Sequence, residues 1–162
     1  MSRVFLGLGS NRGKREEYLL RALGELRRIS GSVLAGQSSV YETEPVGMKE
    51  QPPFLNMAVE LETDIDVRML FSMLQGIERN LGRTKSVRWG PREIDIDILY
   101  YGDTMMETEQ LTLPHSGIPA RRFVLQPLSE IAADFIDPRE HQTVAALLKN
   151  CPDVSAVHRK ER

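Results

Sequence analysis

The sequence predicts an α+β fold, because strand-like and helix-like segments follow one another in the order strand, helix, strand, strand, helix, strand. Apolar residues alternate with polar ones along the strand candidates and recur at helical spacing in the helix candidates. This order is typical of a ferredoxin-like sandwich, in which an antiparallel sheet carries its helices on one face. We expect a single domain over residues 1–162, with C-terminal elaborations of this core.

The first three elements are a strand, a helix and a second strand. Residues 4–9 are rich in β-formers and stop at a turn cluster, residues 10–13, that can also cap a helix. Apolar residues at helical spacing follow from Glu16, and Gly31 is expected to end this helix. Residues 33–41 are the second strand candidate.

The next three elements follow a long loop that is rich in proline. Residues 54–61 alternate between an apolar and a more polar face, as expected for a strand. The clearest amphipathic stretch begins near Asp66 and ends at Gly82, a residue that favours a left-handed helix end. Residues 94–101 are the fourth strand candidate.

The rest of the chain contains one further helix candidate, a short one at residues 144–148. Elsewhere in this part prolines predict turns and loops. These prolines are Pro114, Pro119, Pro127 and Pro138. We expect the charged residues 158–162 to form a frayed, solvated end.

The composition excludes several classes of protein. The chain has 21 Lys and Arg against 23 Asp and Glu, and this net charge of −2 disfavours a general nucleic-acid binder. Cys151 is the one cysteine of the sequence, which excludes an intrachain disulfide and a multi-thiolate zinc site. No apolar run approaches the roughly 18 residues that span a bilayer. We therefore expect a cytoplasmic monomer with neither a nucleic-acid nor a membrane partner.

Two aspartates share one face of the fourth strand candidate. In residues 94–98 three isoleucines alternate with Asp95 and Asp97, so the carboxylates project from the face opposite the isoleucines, roughly 6.7 Å apart along the backbone. If this face is exposed, the pair is an ordinary solvated one, but if it is covered, the like charges require a cation. Magnesium fits the second case, since it takes one or two carboxylates together with phosphate oxygens and water.

A basic stretch comes directly before this strand. Its cations are Arg79, Arg83, Lys85, Arg88 and Arg92. Residues 93–120, by contrast, hold six acids and neither Lys nor Arg. A run of cations is usually a solvated surface, but beside two aspartates it matches what a polyphosphate needs, a metal on one side and guanidinium groups on the other. Trp89 lies in the middle of the stretch, where it could close over a ligand.

Other common signatures are incomplete or absent from the sequence. Residues 7–13 read G-x-G-x-x-x-G, one residue off the dinucleotide fingerprint, and there is no Walker A sequence. The three histidines are far apart and lack metal-ligand spacing, which disfavours a histidine zinc centre. His115 follows Pro114 in a rigid turn and is either a binding residue or a loop histidine satisfied by the backbone.

Residues 88–98, with the sequence RWGPREIDIDI, strongly resemble the signature of the 6-hydroxymethyl-7,8-dihydropterin pyrophosphokinase (HPPK) family. Further matches to the family follow in the correct order at residues 9–11, 41–47, 54–56, 111–115 and 121–123. The resemblance implies a ferredoxin-like core. It also implies an enzyme of folate biosynthesis, which transfers the β,γ-pyrophosphate of ATP to the hydroxymethyl group of the pterin and releases AMP.

The same resemblance implies a role for each matching residue. Asp95 and Asp97 would hold two Mg²⁺ ions, and together with Arg83 and Arg92 they would form the catalytic set. The other residues that contact ATP would be Gln75, Glu78, Lys85, Arg88, Ile98, Thr112 and His115. The residues that contact the pterin would be Thr43, Val46, Phe54, Asn56, Trp89, Arg121 and Phe123.

The resemblance also implies how the pterin is held. Phe54 and Phe123 would sandwich its ring, and the amide of Asn56 would pair with its polar edge. Trp89 and Arg121 would close over the assembled site.

The sequence departs from the family pattern at three positions. Lys85 and Gln110 stand where relatives carry arginine, and Ser116 stands where tyrosine or proline is common. Lysine keeps the charge but loses the planar guanidinium, which weakens the case for an ATP contact at Lys85 but not for the reaction type.

Two other classes of function remain open on the residues alone. One is a non-catalytic ligand-sensing or RNA-binding module, although the mild acidity and the lack of an aromatic-basic strand motif disfavour RNA. The other is a metal-dependent nuclease or phosphohydrolase that uses the aspartate pair with the arginines. Product analysis distinguishes the three, because a binding module makes no product, a hydrolase needs no pterin, and the kinase yields AMP only when the pterin is present.

Overall fold

A computed structural model describes residues 1–43, 53–82 and 93–160 of the chain. Its first elements are β1 (Ser2–Ser10), α1 (Arg15–Arg27), β2 (Ser32–Gln37), β3 (Tyr41–Thr43), β4 (Phe54–Thr63), α2 (Val67–Asn80) and β5 (Asp95–Tyr101). The C-terminal elements are β6 (Met106–Glu107), β7 (Thr112–Leu113), a 3-10 turn (Ile118–Ala120), α3 (Arg122–Ala132), α4 (Val144–Lys149) and β8 (Val157–Arg159).

The described strands form one antiparallel sheet and a small separate hairpin. The order in the sheet is β5-β1-β4-β3-β8, with β2 also paired to β4, while β6 pairs with β7 in the hairpin. Strands β1 and β4 are therefore central, and β5 lies at an edge. The predicted combination of an antiparallel sheet with helices is confirmed.

The second strand candidate, residues 33–41, is two strands rather than one. The strand is interrupted at Ser38, whose backbone N–H donates to the Ala58 carbonyl at 2.8 Å. The Ser38 hydroxyl accepts from the Ala58 N–H at 2.9 Å and donates to the Ser39 carbonyl. One backbone and one side-chain hydrogen bond to Ala58 thus take the place of regular strand pairing at this point, and β2 and β3 both stay against β4.

The two predicted helices of the N-terminal half are present. The Asp66 carboxylate caps α2 by accepting from the Arg68 N–H, and Gly82 has a φ of 91°, as its place at the helix end predicts. Helix α1 ends at Arg27, earlier than Gly31, which instead forms a turn with a φ of 87°. No helix in the described part of the chain is long and apolar enough to span a bilayer.

Buried side chains form two cores, one on each face of the sheet. The first core packs α1 and α2 against the sheet, and its members include Leu6, Leu8, Leu23, Leu70, Leu74 and Ile98. The second core packs α3 and α4 against the other face, and its members include Phe5, Ala58, Leu99, Tyr100, Leu125 and Val144. The helices of the predicted core thus share one face, but the C-terminal elaboration covers part of the second.

A register shift lets β5 contribute consecutive residues to the second core. Phe5 pairs with Tyr100 but Leu6 pairs with Ile98, so Leu99 is an extra residue in the ladder. Leu99 and Tyr100 both enter the second core, whereas Ile98 stays in the first.

Two expectations for the C-terminal part are wrong. Pro127 does not mark a turn but lies within α3. Leu125 and Leu128 of this helix are buried against the sheet, and this burial outweighs the loss of the one helical hydrogen bond that proline cannot make. The tail is not frayed over the described residues either. Strand β8 pairs with β3, which would otherwise lie at the edge of the sheet, and the Lys160 N–H donates to the Val40 carbonyl at 2.8 Å. These bonds satisfy backbone groups that an open edge would expose.

Candidate active site

A cavity of about 400 Å³ lies at the sheet, beside the described part of the second face that α3 covers. Its described lining comes from β1, β3, β4, α2, β5 and the segment from Gln110 to Val124. The volume lies in the range of small-molecule sites. The cavity is therefore bordered by residues from both halves of the chain.

The aspartate pair lies at this cavity as the alternation predicts. Asp95 and Asp97 both line it, and the isoleucines on either side of them are buried, although Ile96 also borders the cavity. In the ladder Asp95 pairs with Gly9 and Asp97 with Gly7. Because glycine has no side chain, β1 places no side chain of its own beside the carboxylates, and Leu99 and Asn56 approach Gly7 and Gly9 instead.

Glu78 of α2 is hydrogen-bonded to the backbone of β5 between the two aspartates. Its side chain is 6% exposed, and its Oε2 accepts the Ile96 N–H at 2.7 Å. This N–H belongs to an edge strand, so a buried carboxylate satisfies a donor that no neighbouring strand reaches. Glu78 thus fixes the position of β5 as well as lining the cavity.

His115 faces the cavity in a defined tautomer. Its Nδ1 accepts the Gly117 N–H at 3.2 Å, so the neutral ring carries its proton on Nε2. Burial lowers the pKa of His115; the Asp97 carboxylate raises this pKa and the Arg121 guanidinium lowers it, and the net effect is a decrease. The neutral ring is thus a donor at Nε2 near neutral pH.

Aromatic and amide groups line the cavity together with the acids. Phe54 and Phe123 are both lining residues, and the Arg121 guanidinium lies 5.8 Å from the centroid of the Phe123 ring. Asn56 is buried, and its Nδ2 donates to the Thr43 hydroxyl at 2.9 Å. This bond fixes the orientation of the amide at the cavity wall.

Hard oxygen donors are the metal-binding groups that the cavity offers. In residues 1–43, 53–82 and 93–160 there is no group of three or more His, Cys, Asp or Glu side chains placed to hold an ion. Asp95 and Asp97 supply two carboxylates from one face of β5 to the cavity. This donor set fits Mg²⁺ that completes its coordination with phosphate oxygens and water.

The structure brings together most of the described residues that the sequence assigned to a site. Those that line the cavity are Thr43, Phe54, Asn56, Gln75, Glu78, Asp95, Asp97, His115, Arg121 and Phe123. Two assigned residues are not among the lining residues: the side chain of Ile98 is in the first core, and Thr112 is half-buried in β7. The others lie outside the described residues, and they are Val46, Arg83, Lys85, Arg88, Trp89 and Arg92.

The sequence assigned no role to several of the lining residues. These are Gly7, Leu8, Gly9, Met57, Ala58, Phe71, Ile96, Leu99, Gln110 and Val124. The glycines carried a signal, since two glycines separated by a single residue at the end of a strand allow close approach of a ligand. Phe71 carried none, because its place on the apolar stripe of α2 is also that of a core residue.

The fold and the site define a class: a domain of helices and an antiparallel sheet, with a pair of carboxylates in a ligand-sized cavity. A family model described as 7,8-dihydro-6-hydroxymethylpterin-pyrophosphokinase (HPPK) matches residues 5–133. The chain belongs to this family. It is thus a pyrophosphokinase of folate biosynthesis, and the resemblance found in the sequence is confirmed.

Curated relatives support the assignment over most of the chain. The 2-amino-4-hydroxy-6-hydroxymethyldihydropteridine pyrophosphokinase of Bacillus subtilis is 48% identical over 128 residues, which are 79% of this chain and 77% of the relative. The enzyme of the same name from Haemophilus influenzae is 37% identical over 153 residues, and this alignment covers 94% of this chain and 95% of the relative.

Solved structures support the fold. A crystal structure of an HPPK-DHPS in complex with substrates has a TM-score of 0.72 at 13% identity, and the match covers 92% of this chain and 45% of that one. Plasmodium falciparum HPPK-DHPS with pteroate has a TM-score of 0.73 at 15% identity, covering 91% of this chain and 42% of that one. The chain thus spans less than half the length of these structural neighbours.

Proposed function

We propose that the cavity is the site where the β,γ-pyrophosphate of ATP is transferred to the hydroxymethyl group of 6-hydroxymethyl-7,8-dihydropterin, giving the pterin diphosphate and AMP. The observation that carries this proposal is that the β5 carboxylates, Asp95 and Asp97, line the same cavity as Phe54, Asn56 and Phe123. One cavity thereby offers groups for a polyphosphate and for a flat polar heterocycle.

Phe54, Phe123, Asn56 and Thr43 form the pterin side of this proposed site. The two aromatic side chains offer faces for stacking. Asn56 uses one amide hydrogen on Thr43, so its second hydrogen and its Oδ1 can pair with an adjacent acceptor and donor of the ligand. The Thr43 hydroxyl accepts that bond and can donate its own hydrogen.

The aspartates and His115 form the phosphate side. Asp95 and Asp97 would hold two Mg²⁺ ions, which neutralise phosphate charge and, when bound, make a coordinated hydroxyl more acidic. The Nε2–H of His115 donates to a phosphate oxygen, and Arg121 adds a positive charge beside the Phe123 ring. Gln75, Phe71 and Gln110 line the cavity and would hold the nucleoside.

The remaining assignments rest on the resemblance alone. Arg83 and Arg92 would contact the triphosphate as catalytic residues, with Lys85 and Arg88 as further ATP contacts. Val46 and Trp89 would contact the pterin. The function needs no protein nucleophile, since transfer of this kind depends on alignment and on charge neutralisation.

The same proposal extends to the molecule as a whole. We propose that the β5-β1-β4 arrangement, with β2 and β3 beyond β4 and with α1 and α2 on one face, is a ferredoxin-like core. The chain would be a single domain that acts as a monomer in the cytoplasm, with ATP and the pterin as its small-molecule partners.

The test compares AMP formation by the original chain with that of Asp95→Asn and Asp97→Asn variants. Either substitution is expected to lower turnover by at least about 10³-fold, since metal ions at a transferring phosphate supply several kcal/mol. Asp103→Asn, which removes an exposed carboxylate that does not line the cavity, is the matched control. Circular dichroism checks that each variant folds.

The outcomes separate the alternatives. AMP that forms only when the hydroxymethylpterin is present supports the proposal. ATP hydrolysis that is independent of the pterin would indicate a phosphohydrolase, and tight binding without product would indicate a binding module. Near-normal AMP formation by Asp97→Asn would remove the metal role from the proposed site.

A further inference from the structure

We propose that Arg139 is a positioning residue, which holds the segment that carries His115 against β5 and so sets the place of the His115 ring in the cavity. Its Nη1 donates to the Pro114 carbonyl at 3.1 Å and its Nη2 donates to the Leu113 carbonyl at 3.2 Å. Arg139 is not a lining residue of the cavity. It therefore acts on the site through the backbone that precedes His115.

A buried carboxylate fixes Arg139. Asp137 is 1% exposed, and its Oδ1 accepts the N–H groups of Arg139 at 2.8 Å and Glu140 at 2.9 Å. Its Oδ2 accepts the hydroxyl of Tyr100 at 2.6 Å. Burial raises the pKa of Tyr100, and the hydrogen bond to Asp137 raises it further, so this hydroxyl remains a donor at any working pH. Asp137 thus joins the segment of Arg139 to β5.

The same strand holds the His115 segment directly. The His115 N–H donates to the Leu99 carbonyl at 3.0 Å, and Leu99 is the neighbour of Tyr100 in β5. The strand that carries Asp95 and Asp97 therefore fixes the His115 segment in two ways, once through Leu99 and once through Tyr100, Asp137 and Arg139. This places the carboxylates and the imidazole in one rigid frame.

The chemistry of the contact requires arginine. A planar guanidinium can donate to two carbonyls at once, whereas the ammonium of lysine is a compact charge without that fork. Loss of the contact would leave two carbonyls without these donors and would free the segment to shift. A displacement of about 1 Å at a positioning group can cost on the order of 10²-fold in rate.

The inference rests on the proposed role of His115 toward ATP, and the test is a double-mutant cycle between the two residues. Binding of a non-hydrolysable ATP analogue with Mg²⁺ is measured calorimetrically for Arg139→Gln, Arg139→Lys, His115→Ala and the Arg139→Gln/His115→Ala double variant. Arg139→Gln is expected to weaken analogue binding about 10-fold and to leave pterin binding unchanged. In the His115→Ala background it should have no further effect.

A stability control separates positioning from general destabilisation. Val144→Ala removes buried apolar volume from the second core without touching the Arg139 contacts, so it should lower the melting temperature but leave analogue binding unchanged. Arg139→Lys keeps the charge and is expected to reproduce most of the binding loss. It also serves as the milder variant if Arg139→Gln does not fold.

Nuclear magnetic resonance of the His115 ring gives a readout that does not depend on ATP. At a pH where the ring is neutral, the ¹⁵N shifts should report the Nε2–H tautomer in the original chain and a mixture of tautomers in either Arg139 variant. Unchanged ring signals in a folded variant would overturn the proposal, as would equal losses of binding with and without His115. If His115→Ala binds the analogue normally while the Arg139 variants change the ring signals, the positioning is right and the ATP role of His115 is wrong.

Discussion

Gly7 and Gly9 of β1 line the cavity without adding side chains of their own, so residues of β4 and β5 can approach them closely. They lie in the ladder between the aspartates of β5 and the residues of β4, with Gly9 paired to both Asp95 and Asn56. A Cβ on Gly9 would lie 2.9 Å from Asn56 Oδ1, which is closer than ordinary packing allows. The same Cβ would occupy space next to the amide that we assign to the pterin.

Gly9→Ala is therefore expected to displace the Asn56 amide and to weaken pterin binding by about 10-fold or more, the cost of roughly one lost buried hydrogen bond. Pterin affinity is measured by calorimetry or by the fluorescence of the ligand. Gly36→Ala is the matched control, because a Cβ in that strand position meets nothing closer than Glu60 Cβ at 4.0 Å. Equal affinities of the two variants would contradict the assignment of Asn56 to the pterin.

At the residue scale, the sequence predicted what depends on local geometry. The shared face of Asp95 and Asp97 follows from the two-residue period of a strand, and the structure confirms it. The meeting of Phe54 and Phe123 in one cavity depends on how β4 and α3 are placed, so only the resemblance predicted it. The contact of Glu78 with the Ile96 N–H depends on helix packing and was not predicted at all.

At the scale of the elements, Glu78 connects α2 to the edge strand β5. Removing it by Glu78→Ala leaves the Ile96 N–H without this acceptor, which should lower the free energy of unfolding by about 1–3 kcal/mol. Glu78→Gln keeps an oxygen acceptor and should cost clearly less. Urea denaturation of the two variants provides the comparison, and equal losses would indicate that the charge of Glu78, rather than its acceptor oxygen, stabilises the contact.

The element boundaries that the sequence missed were decided by contacts with distant parts of the chain. Ser38 breaks the second strand candidate because its hydroxyl bonds to Ala58, twenty residues away. Helix α3 forms through Pro127 because its apolar side chains are buried under the sheet. Strand β8 forms because β3 offers a free edge. None of these partners is visible in a local pattern, whereas the start of α2 near Asp66 and its end at Gly82 follow from local signals and were predicted.

At the scale of the whole molecule, the site exists because the two faces of the sheet are covered unequally. Helices α1 and α2 cover one face, while α3 and α4 cover only part of the other. Among the described residues, the part of the second face that these helices leave open borders the cavity with its two carboxylates. The βαββαβ order of elements predicts that helices cover the first face. How much of the second face the C-terminal part covers follows from the structure alone.

Three titratable groups link the stability of this arrangement to pH. Burial lowers the pKa of His115 below 6.5, and the unfolded chain therefore takes up a proton more readily than the folded one. Burial raises the pKa of Glu130 and of Asp153, but hydrogen bonds outweigh burial in both. The net effect lowers the pKa of Glu130 below its ordinary value of 4.5 and that of Asp153 below its ordinary value of 3.8. The donors are Tyr41 and Ser39 for Glu130, and Ser155 and Arg122 for Asp153.

We therefore expect the ligand-free protein to lose stability in two stages as the pH falls. The His115 contribution is complete above about pH 6.5 and decreases below it, while the contributions of Glu130 and Asp153 are complete above about pH 4.5 and pH 3.8 and are lost as the pH falls from those values through the lowered folded-state pKa values. Between about pH 7 and pH 5, the melting temperature should thus decrease less for His115→Gln than for the original chain. His158→Gln, at an exposed position in β8, should follow the original chain. Parallel curves for all three proteins would show that burial of His115 does not set the first stage.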